Sequence, residues 1–350
     1  QFRAEQWAIY DYYLQIPFPS SIEEWFYIAF WTPFRDYRFI PLAYIWNYLE
    51  VVLFQVNFSL YTALSLSLYF LNAVLLAFLA KRYANGFSAT FWVALIMALF
   101  LPSALEIAIW SFFSYKLFQV TLVLTAILLL EHSLTENKPW IKALSISVMF
   151  LSTLFYEAMV PILVLFALRM VWKRWYQWPW ALVCLLFLVI YAFLSWYFEQ
   201  QASTFGVQGN NTVIPSVGTI IASAKPWIWQ DWVLANSGIY VEFKENAYYA
   251  VMHLIDPTEV RLLLVVFGWA AVFSGIYWRR VNWKSVVWLF SLLLACSLPV
   301  LIGRTATNGI DYLSGFSMYN YHAVIFLSGI VSIVVSSGWE KVSIVVSSGW

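Results

Sequence analysis

The sequence predicts an all-α polytopic membrane protein, with about nine transmembrane helices and interfacial helices in its first extracytoplasmic loop. Three observations lead there. Of 350 residues, 63% are hydrophobic and 11% charged, with a mean hydropathy of +0.75, whereas a soluble domain is about 25% charged. Several apolar runs approach or exceed the roughly 18–20 residues that cross hydrocarbon. Those runs are continuous and not the short alternating strands of a barrel. A formal net charge of +1 points to no nucleic-acid partner.

Residues 1–57 read as an extracytoplasmic loop. They are aromatic-rich, broken by Pro17, Pro19, Pro33 and Pro41, and they carry Glu5, Asp11, Glu23, Glu24, Arg35, Asp36 and Arg38. SSIEEWFYIAFW offers Ser20 or Ser21 as an N-cap, with Glu23 and Glu24 in the first turn. Its aromatics suit a helix lying in the interface. A six-helix membrane core follows over 58–198, with spans at Phe58–Ala80, Phe87–Leu101, Leu117–Leu130, Ile141–Phe155, Val160–Val171 and Trp180–Phe198. Residues 199–258 form a second extracytoplasmic loop, long enough to carry function or a small subdomain. Three more spans are expected within 259–338, at Val260–Trp278, Val286–Ile302 and Tyr319–Ser336. In the tail, 339–350, the segment VSIVVSSGW of Val331–Trp339 recurs identically at Val342–Trp350. That period suits a helix, but the identity marks a duplication, of the residues or of the sequence record, and the copy is assigned no function.

Basic residues set the orientation. With Asn57 outside, the connections 81–86, 131–142, 169–178, 278–284 and 338–341 are cytoplasmic. They hold eleven of the 19 Lys and Arg residues but only Glu131, Glu136 and Glu340 among the acids. The start of the chain is then extracytoplasmic, and a further helix is expected ahead of Gln1 in the parent chain. The long polar connections fall outside, so any chemistry belongs there.

The stretch Phe91–Leu130 organises this arrangement. Two apolar runs flank PSALEIAIWSFFSYK, which carries one carboxylate, Glu106, one cation, Lys116, and aromatics from Trp110 to Tyr115. A carboxylate beside lipid is costly, so Glu106 should face protein or water. Cys184 and Cys296 lie inside apolar runs and read as buried small hydrophobes. His132, His253 and His322 lack ligand spacing, so no His/Cys metal centre is expected.

Five segments occur in a recognisable order: RFIPL (Arg38–Leu42), NFSLYTALSLSLYFLNAVLLAFLAKRY (Asn57–Tyr83), PSALEIAIW (Pro102–Trp110), FYEAMVP (Phe155–Pro161) and YNYHAVIFLSGI (Tyr319–Ile330). Together they resemble the C-type, multi-spanning glycosyltransferases that use polyprenyl-phosphate sugars, and most of all the protein O-mannosyltransferase-like branch that often carries tetratricopeptide repeats. Pro102, Glu106 and Trp110 match a Pro-x-x-x-Glu-x-x-x-Trp segment, and Glu157 matches the acid of a Lys-Glu-Met-like turn. There are departures. Ile40 stretches the Arg-Pro step, Tyr156 replaces a Lys, Met318 replaces an Arg before Tyr-x-Tyr, and no repeats follow. The family's acidic pair in the first outer loop is missing, leaving Glu5 and Asp11, of which Asp11 is better placed.

The resemblance implies an inverting sugar transfer on the extracytoplasmic face, in an inner or plasma membrane or the endoplasmic reticulum. A carboxylate takes the proton of the attacking hydroxyl, and cations or a bound divalent cation stabilise the departing phosphate. Asp11 is the expected base; the plain alternative is a solvated loop acid. Glu106 either lines the cleft or caps outer helix ends, and Glu157 is either structural or cleft-lining. Glu50 and Asp36 rank below them. For the phosphate, Arg304 in LIGRTATNG is expected to act through its guanidinium fork, against snorkelling to headgroups. Arg38, Lys116 and His322 are secondary. Partners would be membrane lipid and a polyprenyl-phosphate sugar. The rivals are a non-catalytic subunit of a larger membrane assembly, and a polymerase, ligase or flippase of lipid-linked glycans.

Overall fold

The computed structural model describes residues 4–30, 39–84, 88–99, 114–204, 216–226, 281–308 and 321–348. Among them every regular element is helical. The helices are α1 (Ala4–Gln15), α2 (Ile22–Phe30), α3 (Pro41–Phe54), α4 (Phe58–Tyr83), α5 (Ser88–Leu99), α6 (Ser114–Glu136), α7 (Pro139–Thr153), α8 (Val160–Lys173), α9 (Trp178–Thr204), α10 (Val217–Pro226), α11 (Trp283–Asn308) and α12 (Tyr321–Ser348). Short 3-10 turns, Glu157–Met159 and Trp175–Gln177, precede α8 and α9. The all-α expectation holds over these residues.

Among the described residues, four helical stretches are long and apolar enough to cross a membrane: Phe58–Tyr83, Ser114–Glu136, Trp175–Phe198 and Trp283–Ile302. The chain thus has the helices of a membrane protein. α7 and α8 form where spans were expected, but their 15 and 14 residues reach only about 21–23 Å at the α-helical rise. That falls short of a hydrocarbon core of about 30 Å. The span expected at Val260–Trp278 lies outside the described residues.

Proline and capping chemistry explain many of the boundaries. Pro41, Pro139 and Pro161 each sit in the first turn of their helix, where no backbone N–H is required. Ser21 caps α2: its Oγ accepts from the Glu24 N–H at 3.2 Å, while Glu24 Oε2 accepts from the Ser20 N–H at 2.6 Å. The Ser21 cap and the first-turn glutamate are those read from the sequence, the carboxylate reaching the residue before the cap. α6 closes at Asn137, whose φ of 55° is the left-handed conformation that asparagine tolerates.

The chain divides into two compact units, Gln1–Asn72 with Ile107–Asn211, and Ala73–Glu106 with Thr212–Trp350. In the first, α6 to α9 run alternately up and down through short links, and α1 to α3 gather at one end. Tyr10, Tyr13, Ile28, Tyr48 and Val51 join α1, α2 and α3 in one cluster. Ile40, Ala43 and Tyr44 meet Tyr115 and Phe155, and Phe39 meets Tyr191 and Phe198. The Leu42 N–H donates to the Leu154 carbonyl at 3.2 Å, and the Tyr191 hydroxyl donates to the Phe39 carbonyl at 3.2 Å. α3 is thereby tied to the end of the bundle where α6 begins and α7 ends.

Small residues carry the second unit, as expected where lipid supplies no hydrophobic drive between helices. Thr90, Ala94 and Ala98 are buried at helical spacing on α5, which packs on α12, and the Thr90 hydroxyl donates to Ser336 Oγ at 2.6 Å. Asn282 links two helix ends: its Nδ2 donates to the Tyr83 carbonyl at 3.0 Å, and its Oδ1 accepts from the Ser285 N–H at 3.4 Å. Cys184 and Cys296 are free and buried, as expected. A Cβ on Gly329 would meet Leu76 Cδ1 at 3.2 Å and Leu289 Cδ1 at 3.3 Å. A methyl needs those leucine tips to shift by tenths of an ångström, whereas a leucine has nowhere to go. Gly329→Leu is therefore expected to cost roughly 1–3 kcal/mol by overpacking, and Gly329→Ala clearly less. Thermal unfolding in one detergent compares them; a Leu variant as stable as wild type would contradict this packing.

Candidate functional site

The polar side chains of the first unit collect where α3 meets the start of α6 and the turn between α7 and α8. Pro161 begins α8, Tyr156 is extended, and Glu157–Met159 make a single tight turn between them. Gln119, buried on α6, holds this turn: its Nε2 donates to the Ser152 and Tyr156 carbonyls, each at 2.8 Å. One turn along α6, Asn72 Nδ2 donates to the Leu117 carbonyl at 2.9 Å, and the Thr121 hydroxyl donates to Asn72 Oδ1 at 2.7 Å. These buried amides are paired with carbonyls and a hydroxyl, and fix the backbone around α6's first turns.

Glu50 is the most enclosed carboxyl of this end among the described residues, 3% exposed. The Ser114 hydroxyl and the Trp46 indole N–H, at 3.0 Å, both donate to its Oε1, and the indole also donates to Ser114 Oγ at 2.8 Å. Trp46 is stacked on Phe118, with ring centroids 4.5 Å apart, and meets Phe155 edge-on. Oε2 is buried with no hydrogen-bond partner among the described residues. With 14 residues, α3 is too short to span hydrocarbon. Burial raises the Glu50 carboxyl to about 8, opposed by the hydrogen bonds from Ser114 and Trp46. Burial thus favours its protonated form, able to donate from the oxygen without a partner among the described residues.

On the next face of α6, Lys116 is 2% exposed and its ammonium lies 4.9 Å from the centre of the Tyr156 ring. That contact partly offsets the cost of burying the charge. Glu157, next to Tyr156, is half-buried. The arrangement thus sets a proton-bearing carboxyl and an aromatic-faced cation at one end of the bundle. No group of three His, Cys, Asp or Glu is placed to hold a metal ion among the described residues.

The other expected site residues are distributed differently. Asp11 lies on α1, exposed, with Oδ2 accepting from Gln15 Nε2 at 3.2 Å. His322 is buried in the second unit, at the start of α12, where its carbonyl accepts a long contact from Cys296 Sγ at 3.5 Å. Arg304 lies on the last turns of α11. Arg38 and Glu106, with Asp36, lie outside the described residues. The structure therefore gathers Lys116 and Glu157 around the Tyr156 turn, and adds Glu50, which the sequence ranked low. Ser114, Trp46 and Gln119 had no sequence signal beyond lying in aromatic or apolar context. No protein-family model matches the chain, and neither does any curated protein or solved structure.

Proposed function

We propose that the chain is a membrane glycosyltransferase that moves a sugar from a polyprenyl-phosphate donor to an acceptor hydroxyl on the extracytoplasmic side. The observation that carries this reading is the gathering of Glu50, Lys116 and Glu157 at one end of the first unit, the end that also bears Asp11. The basic links 136–142 and 173–178 lie at the other end, which matches cytoplasmic loops rich in Lys and Arg. Interfacial α1 and α2 and about nine crossings belong to the same proposal. So does the extracytoplasmic position of the acidic end.

In this reading Asp11 takes the proton of the acceptor hydroxyl as its oxygen attacks the anomeric carbon. The bond from that carbon to the phosphate oxygen breaks, and the phosphate leaves with the electron pair. Lys116, with Arg38, answers the charge that develops on it. Glu157 lines the cleft. The test is transfer from a radiolabelled polyprenyl-phosphate sugar by the full-length protein in liposomes. Asp11→Asn is expected to lower kcat/KM about 10²–10⁴-fold. Transfer unchanged in that variant removes Asp11 as the base, and no transfer by the wild type removes catalysis.

One observation favours a second reading. Asp11 is exposed and bonded to its helix neighbour Gln15, and the acidic pair of the resembling family is missing. A non-catalytic subunit of a membrane assembly would show both.

A further inference from the structure

We infer that the turn between α8 and α9, with the first turn of α7, is a preformed binding surface for anionic phospholipid headgroups. The inference rests on the chain being a membrane protein and not on sugar transfer. α6 ends, α7 begins, α8 ends and α9 begins at this end of the first unit. Four tryptophans stand out from it: Trp172 at 85% exposure, Trp175 at 77%, Trp140 at 63% and Trp178 at 53%. Exposed indoles of this number are unfavourable in water and favourable at headgroup level, where the ring meets acyl chain and the N–H meets water or ester oxygen.

The surface is rigid because one residue of the turn points inward. Gln177 is buried, and its Oε1 accepts from Lys142 Nζ at 2.7 Å. Lys142 also donates to Asn137 Oδ1 at 3.1 Å, so the α8–α9 turn is bolted to the α6–α7 turn. With Gln177 held inside, its neighbours Trp175 and Tyr176 are forced outward.

Charge selects the lipid. Lys173 in the last turn of α8 and Arg174 beside it flank the indoles, and the Arg174 guanidinium donates to the Tyr176 hydroxyl at 2.7 Å. Lys138 is exposed but spends its charge on Glu136 at 2.5 Å. Glu131, the other acid here, is buried against Arg169 at 2.8 Å. Lys173 and Arg174 are thus a local excess of positive charge among exposed aromatics. Among the described residues, the exposed charges at the other end of the same unit are Asp11, Glu23 and Glu24, all acidic. A phosphate diester on two acyl chains fits the first surface: the phosphate meets the two cations and the chains meet the indoles.

The experiment uses the whole protein in nanodiscs of phosphatidylcholine with a minority of phosphatidylglycerol. Native mass spectrometry after release reads which lipids stay bound. Wild type is expected to retain phosphatidylglycerol over phosphatidylcholine by on the order of ten-fold beyond the bulk ratio. Lys173→Gln with Arg174→Gln should bring that preference close to one. Trp172→Ala with Trp175→Ala should lower retention of both lipids, and Glu23→Gln with Glu24→Gln should change nothing. These positions are exposed, apart from half-buried Arg174, so the variants should keep wild-type helicity; if the charge variant does not fold, added salt on the wild type must erode the preference instead. A preference that survives charge removal or salt overturns the inference. So does displacement of the lipid by inorganic phosphate alone, which would mark a free-anion site, or retention only of a co-purified protein.

Discussion

Arg169→Met is expected to destabilise the protein by about 3–5 kcal/mol. Arg169 on α8 donates to Glu131 Oε1 on α6 through both Nε, at 2.9 Å, and Nη2, at 2.8 Å. Both side chains are largely out of solvent, at 14% and 8% exposure. Removing the guanidinium leaves a carboxylate in low dielectric without its Arg169 counter-charge, and that penalty exceeds whatever the intact pair contributes. The asymmetry makes the test sharp. Glu131→Leu together with Arg169→Met replaces both charges by apolar volume and should recover most of the loss. Denaturant midpoints in a fixed detergent provide the comparison. A single variant within about 1 kcal/mol of wild type, the range of a surface pair, would mean that water reaches Glu131.

The second large effect is a pH dependence at Glu50. Burial holds its carboxyl protonated up to about 8 in the folded chain, whereas the unfolded chain releases the proton near the ordinary glutamate value of about 4.3. Between those values the folded state binds more protons, so stability is complete below the lower one. It falls as pH rises and is lost through the upper one. From pH 5 to pH 9 the loss is expected to be on the order of 3–5 kcal/mol. Glu50→Gln keeps an acceptor for Ser114 and Trp46 but cannot ionise, so its stability should stay flat over the same window. Glu50→Ala leaves the Ser114 and Trp46 donors short of an acceptor and should cost about 1–3 kcal/mol at pH 5. A wild type as flat as the Gln variant would show that Glu50 is solvated.

Local chemistry made much of the helical scaffold legible from the residues. Ser21 and Glu24 announced the start of α2, and the apolar runs located α4, α6, α9 and α11; the first-turn prolines at 41, 139 and 161 were not read as helix starts. The ends were harder: α4 runs on to Tyr83 and α9 to Thr204 because backbone hydrogen bonds continue past the last apolar residue where polar side chains can still be solvated. Crossing number was least legible. α7 and α8 are apolar enough to be taken for spans, yet too short alone, and only packing within the bundle explains them.

The candidate site was legible only in its charges. Lys116 and Glu157 stand out in any reading of an apolar chain, because a charge there needs a reason. Glu50 was ranked low because the partner that defines it, Ser114, is 64 residues away, and a serine beside aromatics carries no signal alone. Gln119 was missed for the same cause: its acceptors are the carbonyls of Ser152 and Tyr156, which no periodicity encodes. Asp11 shows the converse, a residue chosen from a family likeness whose surroundings are an exposed helix face.

The central claim is that the two ends of the first unit face opposite sides of a membrane, the acidic end outward. The direct measurement is labelling with a membrane-impermeant maleimide in sealed right-side-out vesicles, using single cysteines placed at exposed Glu23 and exposed Trp175. The native Cys184 and Cys296 are buried and should stay silent. Glu23→Cys should react at once, and Trp175→Cys only after permeabilisation. Reaction of both in intact vesicles, or of Trp175→Cys alone, would contradict the account.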